Sequence, residues 1–384
     1  MSQMFEVKIS AKKNDKTLTY DFMVKILPDH QYFINYIIEG FFFEKEIEMY
    51  TKVIPAMTQY QLQNGSKINP PFPKCYYGKF ENNLGVLVME NLKTNGFTTV
   101  DIKQGLDYDE ASAIFEAYAV FHALGFNLQK QLGDEIRQIF PSIFKPHWGK
   151  AHDTFERFLN GPLACLKKIK GEEIHAAKIE TLSGKAFEEC VKAWNCGSNL
   201  GSICHGDPWI TNLMFKYEKD ETGNQKSVVA KIVDLQLAHF GTGACDLAEI
   251  TASSVQSQVQ KVHIENLLRH YHKTFKNTIE QLGLHTDYTY ENLVKDYQSK
   301  FIVGFMKCGF VIDVFGRIDL KLLLELTSEN SDEKREELKK KNKEKLLSDQ
   351  INNEELKSRY LQVVHDAMDY GVFPISVRQH SNRL

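Results

Sequence analysis

The chain lacks an apolar run long enough to span a membrane. Its most apolar stretch, Tyr32 to Phe43, is interrupted by Asn35, Glu39 and Gly40, whereas a span needs about 20 apolar residues. A secretory leader is not expected either, because Met1 to Asp15 has no apolar core and soon becomes charged. Paired cysteines are missing. The seven present (Cys75, Cys165, Cys190, Cys196, Cys204, Cys245, Cys308) are odd in number, scattered, and nowhere at C-x-x-C spacing. That argues against a zinc ribbon or a disulfide framework, and the expected location is cytoplasmic. Charge of one sign is missing too. Lys and Arg number 47 against 50 Asp and Glu, a net charge of −3, so no global field recruits nucleic acid or an acidic membrane.

What remains is an ordinary globular composition, 42% hydrophobic and 25% charged over 384 residues, enough for two domains or one two-lobed unit. Phe5, Val7 and Ile9 alternate with polar residues. After the turn Lys12-Lys13-Asn14-Asp15 the alternation resumes, with Leu18, Tyr20, Phe22, Val24 and Ile26 on one face and Met23, Lys25 and Leu27 on the other. Period two on both sides of a polar turn predicts an antiparallel hairpin. From Gly40 to Met57, Phe43, Ile47, Tyr50 and Ile54 form a helical stripe. Cys75 to Gly78 and Leu84 to Met89 read as two more strands joined at Glu81-Asn82-Asn83. The first ninety residues are therefore expected to form a small sheet carrying one helix. Beyond them Tyr108–Gln129, Lys178–Ala193 and Val255–Leu282 predict long amphipathic helices, and Val228 to Val233 predicts a strand after a polar turn at 220–225. The segment Asp332 to Lys345 is almost wholly charged with mixed signs and reads as a solvated helix or insertion.

The chemistry concentrates in Cys204-His205-Gly206-Asp207-Pro208-Trp209-Ile210-Thr211-Asn212-Leu213-Met214-Phe215, followed about twenty residues on by Ile232-Val233-Asp234-Leu235-Gln236. Phosphoryl transfer from ATP requires a carboxylate at the acceptor hydroxyl and oxygen ligands that hold Mg²⁺ against the phosphates. An Asp and an Asn five residues apart on a tight loop bring two oxygens into one cleft, and an Asp at the end of a following strand reaches it from the other side. H-x-D-x-x-x-x-N, a hairpin, then an apolar strand ending in Asp is the catalytic pattern of the protein-kinase-like fold. His205 reads as structural rather than as a base, and His122 as a satisfied core histidine.

HGDPWITNLMF and IVDLQ resemble the signatures of the ecdysteroid kinase-like (CHK kinase-like) family, within the aminoglycoside phosphotransferase and choline kinase superfamily. Met23 to Pro28, Phe43 to Ile47, Leu87 to Lys93 with Gly96-Phe97, Ala119 to Ala123, and Asp246-Leu247 resemble further family strings in the same order. The resemblance implies an α+β, protein-kinase-like two-lobed fold. Its smaller lobe would comprise residues 1–94. A larger, mainly helical lobe, 95–384, would carry the catalytic loop 204–215 and the metal-binding segment 232–247. It implies that Lys25 binds the α- and β-phosphates and that Glu46 holds Lys25. The helical wheel favours Glu46 over Glu48, which points well away from the buried stripe. It further implies that Asp207 orients the acceptor hydroxyl and takes its proton, that Asn212 and Asp234 bind Mg²⁺, that His205 and Asp246 brace the loop from behind, and that the backbone of Glu90, Asn91 and Leu92 meets adenine.

The interval from Asp234 to Asp246 is only twelve residues, without the longer segment a protein kinase uses to dock peptides. The expected acceptor is thus a small hydroxylated molecule, possessing an apolar body as an ecdysteroid does, with no nucleic acid and no obligate protein partner. The alternatives are a choline- or ethanolamine-type kinase and a catalytically impaired binding protein. The last follows from a departure: the family has a strand and a phosphate-covering loop before the first hairpin strand, and Met1 to Phe5 stand where that loop would end. Pro208, Thr211, Leu235 and Asn91 also depart from the family strings, while Asn212 keeps to them.

Overall fold

A computed structural model describes residues 2–13, 16–29, 31–63, 65–145, 152–195, 200–219, 225–316 and 353–373, with 331, 333–338, 340 and 351. The alternating segments form a four-stranded antiparallel sheet in the order β1-β2-β4-β3, from β1 (Gln3–Lys13), β2 (Lys16–Ile26), β3 (Cys75–Glu81) and β4 (Leu84–Glu90). Asn82 and Asn83 both take positive φ, the conformation a tight hairpin between β3 and β4 demands. In the register, Lys25 stands opposite Met4 on β1 and Leu87 on β4.

Helical structure in this region exceeds the single helix expected from sequence. The apolar stretch after Pro28 contains α1 (Gln31–Glu39), and α2 (Phe42–Glu48) runs through one π-helical stretch, Met49–Val53, into α3 (Ile54–Gln63). Phe43 of α2 packs on the sheet, its ring 6.2 Å from that of Phe80. Glu48 is not solvated: it is buried and accepts from the Ser142 backbone N–H at 2.9 Å.

The remainder is mostly helical. It comprises α4 (Tyr108–Leu132), the short α5 (Ile136–Ile139), α6 (His152–Leu166), α7 (Glu173–Glu180), α8 (Ala186–Asn195), α9 (Gly243–Ser254), α10 (Ser257–Gln281), α11 (Tyr290–Val311) and α12 (Glu354–Asp369). Asp107 and Glu110 form a reciprocal capping box that starts α4. The single helix expected over Lys178–Ala193 is two, α7 and α8. Ser183 and Gly184, poor helix formers, fall between them and the chain turns there.

Two short ribbons interrupt the helices. β5 (Ser202–Cys204) pairs with β8 (His239–Gly241), and β6 (Leu213–Lys219) with β7 (Gln225–Ile232). They hold the 205–212 loop and the 233–238 turn side by side, because the Val233 N–H donates to the Asn212 carbonyl at 3.0 Å. The expected turn residues 220–224 lie outside the described residues. So does most of Asp332–Lys345, of which 333–338 are helical. Among the described residues no helix is long and apolar enough to cross a membrane.

Candidate active site

Lys25 projects from the face of β2 opposite Val24 and is 5% exposed. Its Nζ donates to Glu46 Oε2 at 2.6 Å and to Asp234 Oδ1 at 2.8 Å. Glu46 reaches it from α2. Asp234 reaches it from the end of β7, where the backbone takes φ 67° and ψ 64°. A left-handed aspartate costs of order 1–3 kcal/mol, and such strain persists only where the surroundings enforce it. Burial pulls the Lys25 ammonium down, but Asp234 and Glu46 together outweigh it and hold it above its ordinary value. Burial raises the Glu46 carboxyl, against Lys25, to about 7. Asp234 is raised by burial as well, yet Lys25 brings it below the ordinary carboxylate range.

The 205–212 loop is fixed by polar groups behind it. Asp246, fully buried on α9, accepts from the backbone N–H of His205 at 2.7 Å and of Gly206 at 3.0 Å. Burial pushes its carboxyl up, and His122 and the loop N–H groups bring it down past its usual value. His122 Nε2 lies 3.0 Å from Asp246 Oδ2, and its Nδ1 lies 2.8 Å from the Tyr271 hydroxyl. A carboxylate only accepts, so Nε2 carries the His122 proton and Nδ1 accepts from the tyrosine. His205 is fixed likewise. Its Nε2 donates to the Val233 carbonyl at 2.9 Å, while its Nδ1 accepts the Asp207 N–H at 3.1 Å. Both histidines are thus spent on structure. Gly206 has φ 78°, and a Cβ there would stand 2.3 Å from the Leu237 carbonyl oxygen, so loop and turn close on each other only with glycine at this position.

Asn212 Nδ2 donates to the Asp207 carbonyl at 2.9 Å and to Asp207 Oδ2 at 3.2 Å. Both partners only accept, so the amide orientation is set and Asn212 Oδ1 is the atom left for the other side. There a cavity of about 360 Å³ is lined by Lys25, Glu46, Asn212 and Asp234 at one end and by Glu90, Asn91 and Leu92 at the other. The amide oxygen of Asn212 and the second carboxylate oxygen of Asp234 are hard donors, the set that suits a divalent cation carrying water and phosphate as its remaining ligands. At the far end the Glu90 N–H is already donated to the Lys74 carbonyl at 2.8 Å, and the Asn91 carbonyl accepts the Thr94 hydroxyl at 2.8 Å.

Asp207 faces a second cavity, of about 210 Å³, whose walls include Phe155, Phe158, Trp194, Trp209 and Phe310. Gln236 borders both cavities. Lys307 is a site residue that sequence reasoning missed. It comes from α11, 100 residues away, and its ammonium contacts Asp207 Oδ1. The same ammonium lies 5.2 Å from the Trp209 ring centroid and 4.8 Å from that of Phe310. Glu249, 2% exposed on α9, lines this cavity as well. Burial lifts its carboxyl well above the ordinary range, although Lys307 opposes the shift. Only an i, i+3 relation to Gly304 and Phe310 on a helix of little amphipathic contrast could have singled out Lys307.

A Caenorhabditis elegans protein named "Uncharacterized oxidoreductase dhs-27" is 20% identical over 280 residues, covering 71% of this chain. The chain spans 31% of that protein's length. The model of the ecdysteroid kinase-like family matches residues 1–284, nearly three quarters of the 384 and every residue of the polar cluster except Lys307. The chain belongs to the ecdysteroid kinase-like family.

Proposed function

We propose that this chain is a phosphotransferase that moves the γ-phosphoryl group of ATP to a hydroxyl of a small, uncharged, largely apolar molecule. One observation carries the reading: the Lys25 ammonium joins Glu46 to Asp234 in a cavity shared with Asn212, and Asp207, tied to Asn212, opens onto an adjoining aromatic cavity. On this reading the sheet with α1 to α3 is one lobe, the helical remainder the other, and the border lies near residue 94. Bound Mg-ATP would supply the phosphoryl group with its charge partly neutralised. Asn212 and Asp234 would hold the metal, and Lys25 the α- and β-phosphates. Glu90 and Leu92 would offer backbone groups to adenine. Asp207 orients the acceptor hydroxyl and accepts its proton as the new O–P bond forms. Lys307 fixes the Asp207 carboxylate and places positive charge beside the transferring group. Catalysis of this kind is positioning and charge placement.

The lining of the acceptor cavity favours an uncharged acceptor over a quaternary ammonium. A quaternary ammonium needs an aromatic cage free of cations, and here Lys307 already lies over Trp209 and Phe310. At about 210 Å³, the cavity is smaller than the roughly 300 Å³ at which sites for drug-sized ligands begin. It takes one end of a sterol-sized molecule. The test is ADP release with a panel of hydroxylated sterols and choline. Turnover is expected with the uncharged acceptors, and Asp207→Asn is expected to lower kcat by at least about 10²-fold with nucleotide affinity kept. Turnover with choline alone, or an Asp207→Asn enzyme of full activity, contradicts the reading.

A further inference from the structure

Among the described residues two groups of three metal-ligating side chains converge, His122 with Cys204 and Asp246, and Glu172 with His175 and His365. The first is fully buried, and both nitrogens of its histidine and both oxygens of its carboxylate are bonded within the protein. The second is different. It lies away from both cavities, at the join between α7 and α12.

Glu172 immediately precedes α7 and His175 sits in its first turn. The spacing E-x-x-H sets the two side chains on one side of the helix, and the same spacing supplies paired ligands in helical metal proteins. Glu172 stands at the N-cap of α7 but makes no capping hydrogen bond with its side chain. Its carboxylate turns to the histidines instead. His175 Nδ1 lies 2.7 Å from Glu172 Oε2. His365 Nε2, arriving from α12, lies 3.0 Å from Oε1 and 3.3 Å from Oε2. One donor atom from each residue falls within 4.8 Å of the others. An ion bound tetrahedrally at about 2.0–2.2 Å holds its donors about 3.3–3.6 Å apart, so the carboxylate–imidazole contacts of 2.7 and 3.0 Å need to open only slightly, and the two imidazole nitrogens, within 4.8 Å of each other, are in reach of that spacing. The side chains are 12%, 31% and 45% exposed in the order Glu172, His175, His365, which leaves an entry path and room for water as the fourth ligand.

We infer that Glu172, His175 and His365 form a binding site for a borderline divalent transition metal, with Zn²⁺ the favoured ion. Two imidazoles and one carboxylate with an open fourth position are a zinc donor set. Each neutral ring need only carry its proton on the other nitrogen, Nε2 of His175 and Nδ1 of His365, to offer its lone pair. The ion would clamp α12 to α7. This site is independent of the phosphotransferase reading, and either can fail without the other.

The test uses the full chain and Co²⁺ as a spectroscopic stand-in, followed by competition with Zn²⁺. Wild type is expected to bind one equivalent of Co²⁺ with visible d–d bands of tetrahedral intensity and no thiolate charge-transfer band. Zn²⁺ is expected to displace the Co²⁺ and to raise the melting temperature. Both responses are expected to vanish in His365→Asn and in Glu172→Gln, each checked for an unchanged metal-free melt so that loss of binding is not loss of fold. Because His365 is half exposed, its replacement leaves the core alone. No bands in wild type, bands kept in the folded variants, or bands of thiolate character overturn the proposal.

Discussion

At the residue scale the site is governed by two lysines, each set against carboxylates. Lys25 was readable because Met23 to Pro28 resembles a family strand, and the alternation puts it on the face of β2 that the structure buries, with Leu27; the helical stripe on α2 put Glu46 toward it. Lys307 was not readable. It lies 100 residues from Asp207 on a helix whose last turns are buried almost all round, so no periodicity marks one side as the functional one. Lys307→Met is expected to lower kcat by about 10²-fold while leaving the KM for ATP near its wild-type value. Steady-state kinetics with ATP varied at saturating acceptor would show this, and a change confined to the KM for ATP would place Lys307 elsewhere.

His239, buried on β8, gives a pH prediction of definite sign. Burial lowers its pKa to about 4, and its Nδ1 lies 3.3 Å from the Leu237 carbonyl. A folded pKa below the unfolded value means that the unfolded chain binds the extra proton first. Stability is therefore complete above about pH 6.5 and falls as the pH drops toward 4. Between pH 7 and pH 5 this one group is expected to cost about 2 kcal/mol. Urea unfolding of wild type and His239→Gln at the two pH values would show it as a smaller pH dependence in the variant. An equal dependence in both would remove His239 as the cause.

At the scale of elements, close approach of helices sets the site. Gly304 of α11 faces α9, and a Cβ there would stand 2.3 Å from the Ala248 carbonyl oxygen. Gly304→Ala must push α11 outward, and Lys307 sits one turn further along the same face. We expect a loss of about 1–3 kcal/mol from overpacking, together with reduced kcat. Thermal melts and kinetics of the variant check both, and a variant of wild-type stability would mean that α11 and α9 are not held at this distance. The sequence exposed the hairpins well, since polar turns separate alternating runs. It hid the break between α7 and α8, because the apolar spacing of Lys178 to Ala193 continues across Ser183 and Gly184. It also hid the helical count before β3, where Gly40 and Phe41 divide what reads as one apolar stretch.

At the scale of the whole molecule, residues beyond the family match complete the site. The match ends at residue 284, yet α11 brings Lys307 to Asp207. Arg359 of α12, fully buried, donates to the Ser253 carbonyl at 3.0 Å and ties the final described helix to the end of α9. The 204–215 and 232–236 strings were legible because the chemistry proposed for them demands a short loop of few residue types. The cavity opposite Asp207 was not, since it is assembled from aromatic side chains of α6, α8 and α11 that look in sequence like any core. On the proposed reading Lys25, Asn212 and Asp234 together hold a metal-bound nucleotide. The most direct measurement is the stability of wild type and Asp234→Asn with ATP, with and without Mg²⁺. At a hundredfold excess over Kd, Mg-ATP is expected to stabilise wild type by about 2.7 kcal/mol, with the effect lost without Mg²⁺ and in Asp234→Asn. No stabilisation of wild type at millimolar Mg-ATP, or the same stabilisation in the variant, would contradict it.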